Sequence, residues 1–326
     1  MRTWQKLLII AALAPIIVVA GTITYFQYLS KRRLIISTTT SLYVTGLWDE
    51  IELTYEATHN IDLNIVSAGT GIAIEHAENG NADLIVVHSP SMEQEFLENG
   101  YGVCRKVIAY NFFTIVGPSS DLAGINGLNI TEALTRIIDY GRDQSTHVWI
   151  SRGDNSGTHS KEKELWATAG FDYTSISSET SWYASVGSGM ANTLNVANQK
   201  SAYTLSDIGT YLKFSTDGTI TLTALITEEE SLLNVYSVMV VNQTRHQHVN
   251  FDDAIEFIEY LVSNEGQTTI ENYGKVDFTQ SLFYGAVGPL NTSPSSQISQ
   301  WIQSYAFFNG TECPWQYRND YPELYN

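Results

Sequence analysis

Leu34-Ile35-Ile36-Ser37-Thr38-Thr39-Thr40-Ser41 is an apolar run that stops abruptly in a row of hydroxyl-bearing residues. Residues 34–37 have the branching and shortness of a buried strand, and the stretch behind them carries Leu47, Ile51 and Tyr55 at helical spacing. Residues 61–66 then return to a strand pattern. The beat continues: Gly69-Thr70-Gly71 opens a short helix and residues 83–87 read as a buried strand. Ser91 with Gln94 reads as the capping box of a helix ending near Asn99. Strand and helix in alternation predict an α/β fold with a parallel sheet. Each strand ends in a donor-rich loop: Thr38–Ser41, Gly69–Gly71 and His88–Ser91. In open α/β sheets ligands bind outside the carboxyl ends of the strands, where these loops are expected.

Further along, residues 110–117 (YNFFTIVG) and 234–241 (NVYSVMVV) are two similar extended runs that bound a region of domain size. They read as paired crossover strands joining two lobes. Residues 34–111 with 240–326 form the first lobe, and residues 117–233 the second. This arrangement makes the Ser41 loop face the loop Ser151-Arg152-Gly153-Asp154-Asn155-Ser156-Gly157-Thr158-His159, which opens a later helix. The backbone N–H groups of a helix start are unsatisfied and sit at the positive end of the dipole, so such a terminus takes an anion without a basic surface. Arg152 adds a planar fork of donors matched to pairs of oxygens. Either loop alone is an ordinary cap or turn. One cap needs one hydroxyl rather than a row of them, and two such loops in two lobes point to a bound ligand.

Charge narrows the partners. The 326-residue chain has 17 basic and 35 acidic residues, and five of the basic ones lie within residues 1–33, leaving a formal charge of −23 beyond them. Nucleic acid and anionic membrane surfaces are thereby disfavoured, and an anion site has to work locally, through donors close to the ligand. Leu7 to Leu29 is 23 residues without a charge, flanked by Arg2 and Lys6 and by Lys31, Arg32 and Arg33. That is long enough to span a bilayer. Residues 1–33 read as a retained transmembrane anchor; Val18-Val19-Ala20 leaves a cleaved secretory signal as the alternative. The remaining domain is expected outside the cytoplasm. Cys104 and Cys313 are the only cysteines, read either as one disulfide of an exported domain or as two free buried thiols. Sequons at Asn129, Asn242, Asn291 and Asn309 are compatible with export.

In addition, TTTS at 38–41, GTG at 69–71, HSP at 88–90, the YN…IVGP run at 110–118, SRGDNSGTHSKE at 151–162, LW at 165–166 and the WY, GSGM and AYTLSD segments after it resemble the tungstate-binding proteins of ABC transporters. The resemblance runs in unbroken order over about residues 34–242. It implies a type II periplasmic-binding-protein fold that clamps tungstate between two lobes and delivers it to a permease driven by an ATPase. It also implies oxyanion contacts from Thr39, Thr40, Ser41 and Arg152, with Thr70, Gly71, Ser156, Gly157 and Thr158 as further contacts. His88, Ser89 and Asp154 are expected behind these groups, Asp154 orienting Arg152, because a carboxylate in direct contact would repel the anion. No resident cofactor and no protein-bound metal ion are expected, since the metal arrives as its oxyanion; the receptor is expected to act as a monomer. Where relatives carry a polar, often acidic stretch after TTTS, this chain has Leu42-Tyr43-Val44.

A tetrahedral dianion offers about eight acceptor positions, which the two loops can meet with hydroxyls and amides. Sulfate is then separated from tungstate by cavity size, while a receptor for molybdate or another tetrahedral oxyanion, sulfate or phosphate, is the alternative in the same class. Trp182 and Tyr183 read as lobe core or cleft rim, and the aromatic segment 280–326 as a wrap on the first lobe that carries Cys313 toward Cys104. A hydrolase built on Ser156 or Ser41 with His159 or His88 is the alternative of a different class. It lacks a GxSxG elbow, so the chain is read as a binding protein and not an enzyme.

Overall fold

The computed structural model describes residues 31–278 and 280–325. The expected anchor therefore lies almost wholly outside the described residues, and among those described no helix is long and apolar enough to cross a membrane. Arg32 and Arg33, read as the anchor's basic flank, belong instead to the first strand, β1 (Arg32–Thr39). Arg32 pairs with Asp253 and Glu256, and Arg33 with Asp62.

After β1 come α1 (Thr40–Val44), α2 (Leu47–Thr58), β2 (Ile61–Ala68), α3 (Thr70–Glu78), β3 (Leu84–Val87) and α4 (Pro90–Glu98). β1 pairs in parallel with both β2 and β3, as the alternating pattern requires. The capping box at Ser91 is not formed. Pro90, which suits the first helical position because its missing N–H costs nothing there, makes Ser89 the N-cap, and Glu93 reaches back to accept from the Ser89 N–H at 2.8 Å.

Beyond this unit the sheet is mixed rather than parallel. β4 (Gly102–Gly117) is 16 residues long and pairs antiparallel with β9 (Leu233–Val241), with Asn111 opposite Asn234. β9 in turn pairs antiparallel with β3. Between β4 and β9 the chain forms α5 (Ile130–Arg142), β5 (Trp149–Ser151), α6 (Gly157–Thr168), α7 (Tyr173–Ser178), β6 (Tyr183–Ser185), α8 (Met190–Lys200), β7 (Thr204–Asp207), α9 (Ile208–Thr216) and β8 (Thr223–Ile226). β7 and β8 pair with the far end of β4, residues 113–117. Extended apolar runs set strands but leave their direction open, which is why the antiparallel half was not legible. Buried side chains gather in clusters that follow this division: the largest spans residues 34–109 and 236–324, and the next, residues 113–232. Trp182 and Tyr183 are fully buried in the latter, so they are core and not cleft rim.

The C-terminal part adds α10 (Phe251–Val262), α11 (Asn264–Asn272), β10 (Tyr284–Gly285), α12 (Val287–Thr292) and α13 (Gln297–Ala306). Ile302 and Ala306 of α13 pack on Val107, Leu233 and Val235 of the central strands. Glu312 then enters where β4 slips register between Val103 and Lys106. Its carboxylate accepts from the Val107 N–H at 2.6 Å and from Lys106 Nζ at 2.8 Å, while Arg105 Nη1 donates to its carbonyl at 2.7 Å. The segment thus does wrap the first cluster. Cys104 and Cys313 are both buried free thiols, not a disulfide. Burial, with Cys313 close by, pushes the Cys104 thiol up to about 12, which keeps it protonated.

Removing one partner of a buried ion pair leaves a charge without compensation, at about 3–5 kcal/mol. Glu312→Ala is therefore expected to lower the unfolding free energy by roughly that amount, measured by urea denaturation of the purified protein.

Candidate functional site

The hydroxyl row at the end of β1 divides its labour. Thr38 is scaffold: its Oγ1 donates to the Val86 carbonyl at 3.0 Å and accepts from Trp48 Nε1 at 3.2 Å. Thr39 caps α1, accepting from the Leu42 N–H at 3.3 Å, and lies 3.3 Å from Ser41 Oγ. Thr40 faces the gap between the two clusters, and Ser41 turns to His88 on its own side. Arg152 Nη2 donates to Thr40 Oγ1 at 3.0 Å, and Ser41 Oγ meets His88 Nε2 at 3.4 Å.

The opposing loop follows β5. Arg152 and Ser156 are 3% and 2% exposed. Gly153 takes φ +64°, and a Cβ there would stand 2.8 Å from the Ser185 side chain, so the turn after Arg152 requires glycine. Asp154 accepts from Arg152 Nε at 2.8 Å and from the Ser156 N–H at 3.1 Å, which fixes the guanidinium against the turn. Ser156 caps α6, which starts at Gly157, so Arg152 precedes the helix rather than sitting in its first turn. The Gly157 N–H donates to Thr70 Oγ1 at 3.1 Å, and a Cβ on Gly157 would come within 2.8 Å of the His88 ring. No residue but glycine lets the two sides approach this closely.

Thr39, Thr40, Ser41, Thr70, His88, Arg152, Asp154, Ser156 and Gly157 are thus brought together, and Thr158 follows Gly157 in the first turn of α6. Ser89 lies at the edge, beside a pocket of about 430 Å³ shared with His88, Gly157 and Lys161. At Gly71 the nearest atom to a Cβ would be Met92 Cε at 3.7 Å, on its own side of the gap. His159 is turned away: its Nδ1 accepts from the Asn155 N–H at 2.9 Å and its Nε2 faces Tyr173 OH at 2.7 Å. Thr158 Oγ1 is buried without a partner. An unmade buried hydroxyl costs about 1–3 kcal/mol, which an incoming acceptor would recover.

Four contributors were not read from the sequence. Glu162 accepts from Ser151 Oγ at 2.7 Å, Trp149 Nε1 at 2.9 Å and Tyr183 OH at 2.7 Å, anchoring the base of the Arg152 loop. Asp207 caps α9 through the Thr210 N–H and hydroxyl, near enough to Arg152 to feel its charge. Asn111 and Asn234, the polar interruptions in the two crossover runs, form a relay. Asn111 Nδ2 donates to the Leu282 carbonyl at 3.1 Å, Asn234 Nδ2 donates to Asn111 Oδ1 at 2.8 Å, and Asn234 Oδ1 lies 2.8 Å from His88 Nδ1. A carbonyl only accepts, so the direction of the whole relay follows from its far end. His88 carries its proton on Nδ1, and its Nε2 lone pair faces Ser41. Burial, reinforced by Arg152, pushes the His88 pKa down to about 4.

Ser41, His88 and Asn234 superficially resemble a nucleophile, base and orienting group. The third member is an amide, which brings no negative charge to offset an imidazolium, and the 3.4 Å first contact is long. The arrangement serves anion capture better. Thr40 and Thr70 act as acceptors across the gap, so each keeps its own hydroxyl proton to donate, and the one guanidinium supplies charge.

An α/β protein whose mixed sheet presents donor loops from two buried clusters to one gap has the architecture of a solute-binding protein. The chain belongs to the PBP (periplasmic binding protein) superfamily, whose domain matches residues 24–265. It is 40% identical over 277 residues to a Haloferax volcanii protein named for anion binding in an ABC transporter, covering 84% of this chain and 76% of that one. It is 35% identical to the tungstate-binding protein TupA of Peptoclostridium acidaminophilum over 78% of this chain and 86% of that protein. The solved tungstate-binding protein TupA of Desulfovibrio alaskensis G20 superposes with a TM-score of 0.66 at 36% identity, over 78% of this chain and 98% of that one.

The depressed His88 pKa has a thermodynamic consequence. The unfolded histidine, near 6.5, binds its proton before the folded one, near 4. As pH falls through that window the empty protein is expected to lose stability, by up to about 1.4 kcal/mol per pH unit from this group. Urea midpoints measured across the window check this, and His88→Asn should flatten the slope.

Proposed function

We propose that this chain is an extracytoplasmic receptor that captures tungstate in the gap between two lobes and hands it to an ABC permease driven by its ATPase. The observation that carries the reading is the meeting of the Arg152 loop with two loops of the other side, Arg152 against Thr40 and Gly157 against Thr70, at the junction of separate buried clusters. These clusters are the two lobes of a type II binding-protein fold, and β4 and β9 are the crossover strands between them. Thr40, Ser41, Thr70, Arg152 and Thr158 supply side-chain donors to the oxyanion, Ser156 and Gly157 bring the positive end of α6 to it, and Thr39 and Asp154 hold the donors in place. Binding, not turnover, is the activity. The receptor acts as a monomer, and the apolar segment ahead of β1 tethers it to the membrane.

Tungstate is favoured over sulfate and phosphate by the size of the closed gap, since oxygens of like chemistry present like acceptors. Molybdate has nearly the same dimensions and is the strongest competitor. Calorimetric titration of the purified protein with tungstate is expected to show tight binding, competed by molybdate and poorly by sulfate; absence of heat above buffer would sink the reading. Arg152→Ala is expected to weaken binding by about 2–5 kcal/mol, because Asp154 is then left without its cation beside the anion. Arg152→Lys should also weaken it, since a point charge cannot hold Asp154, Thr40 and the ligand together.

A further inference from the structure

Charge at the gap does not balance for a dianion. Arg152 is the guanidinium that faces it, and Arg152 is already paired with Asp154. Asp207 adds a carboxyl close by, and across the adjoining pocket Lys161 is tied to Glu164 at 3.0 Å. Glu93, behind Ser89, is spent on Arg105, and Tyr236, stacked on His88, is a neutral phenol. Lys213 donates to the Val44 carbonyl at 2.6 Å. A doubly charged ligand buried here therefore leaves the site short of positive charge.

His88 differs from its neighbour His159 in one respect that matters. The His159 lone pair is taken by a backbone N–H, which cannot turn away, so protonating it would oppose two donors. The His88 lone pair on Nε2 faces only the Ser41 hydroxyl, a rotor free to reverse. The relay through Asn234 and Asn111 meanwhile holds Nδ1–H in place, so a second proton on the ring breaks no hydrogen bond. His88 is 2% exposed and its ring lies against Gly157, at the junction of the two sides.

We propose that His88 takes up a proton at Nε2 when a doubly charged tetrahedral oxyanion is captured, becoming the second cation of the site. The inference rests on the oxyanion-receptor reading. The proton comes from solvent and returns to it on release; Ser41 reverses from donating to Nε2 to accepting from it, and its own proton turns to the ligand. Neutral when empty and cationic when loaded, His88 makes affinity rise as pH falls between its empty and loaded pKa values, by at most about tenfold per pH unit.

The test is calorimetry of the full chain in buffers of differing ionisation enthalpy, between about pH 8 and pH 6.5, where the free His88 is neutral. Tungstate binding is expected to take up a fraction of a proton that approaches one as pH falls. Perrhenate has the same tetrahedral shape and a single charge, and should bind with little or no uptake. His88→Gln, which places an amide donor where Nε2 stands, should bind tungstate without uptake and with affinity independent of pH. Tungstate binding with the same heat in every buffer would overturn the inference and leave the receptor reading intact. So would undiminished uptake in His88→Gln, which would move the proton to Asp207. No tungstate binding at all would overturn both.

Discussion

The antiparallel pairing of β4 with β9 is the constraint on which the remaining geometry rests. It places Asn111 opposite Asn234 between the two buried clusters, and it starts and ends the region 113–232 at adjacent points. Two loops more than a hundred residues apart in the chain, Thr39–Ser41 and Arg152–Thr158, are brought within hydrogen-bond reach only because both are mounted relative to this pair of strands. Neither loop contributes apolar packing that would hold it against the other. What keeps them facing is a strand pair buried along its length, with α13 packed on its outer surface and Glu312 pinned at its slipped end.

Within that frame the polar groups divide by what can move. Asn111, Asn234 and His88 Nδ1 are a chain of donors whose sense is dictated by the Leu282 carbonyl, a group with no proton to offer. Buried polar chains of this kind specify one arrangement because any reversal leaves a donor facing a donor. Hydroxyls at Thr40, Ser41, Thr70 and Thr158 are the opposite: each can rotate its proton toward whichever acceptor is present. The site joins a rigid back wall to an adaptable front.

Much of this was legible in the chain. The Leu34–Ser41 run announced both a strand and a donor loop, because apolar branching followed by hydroxyls admits few other readings. Ser151–His159 was legible for its arginine, glycines and cap. The two crossover runs were legible as long apolar strands, but their direction was not, since burial on both faces erases the alternation that would distinguish parallel from antiparallel neighbours. Asn111 and Asn234 carry no signal as single polar residues in apolar strands, and their meaning appears only when register sets them opposite each other. The cap lies at Ser89 and not at Ser91 because Pro90 takes the first helical position and Glu93, buried against Arg105, accepts from the Ser89 N–H. Glu312 and Cys313 lie where no periodic pattern marks an element, so their packing onto β4 could be guessed only as a wrap.

Global charge and local chemistry point in opposite directions here, and their ranges explain why they coexist. Beyond residues 1–33 the chain carries a formal charge of −23, a field that discourages an anion at long distance. At physiological salt that field decays over about 8 Å, whereas a hydrogen bond to an oxyanion acts at about 3 Å in a desolvated gap. The donors therefore decide the outcome once the ligand is inside, and the acidic surface bears on how often it arrives. Such a division favours an anion that binds many short, pointed contacts at once over one that relies on diffuse attraction. A compact tetrahedron directs its oxygens four ways and can use donors on several sides at once; a flat or extended anion uses fewer. Shape discrimination in this site thus follows from the same feature that makes a basic surface unnecessary.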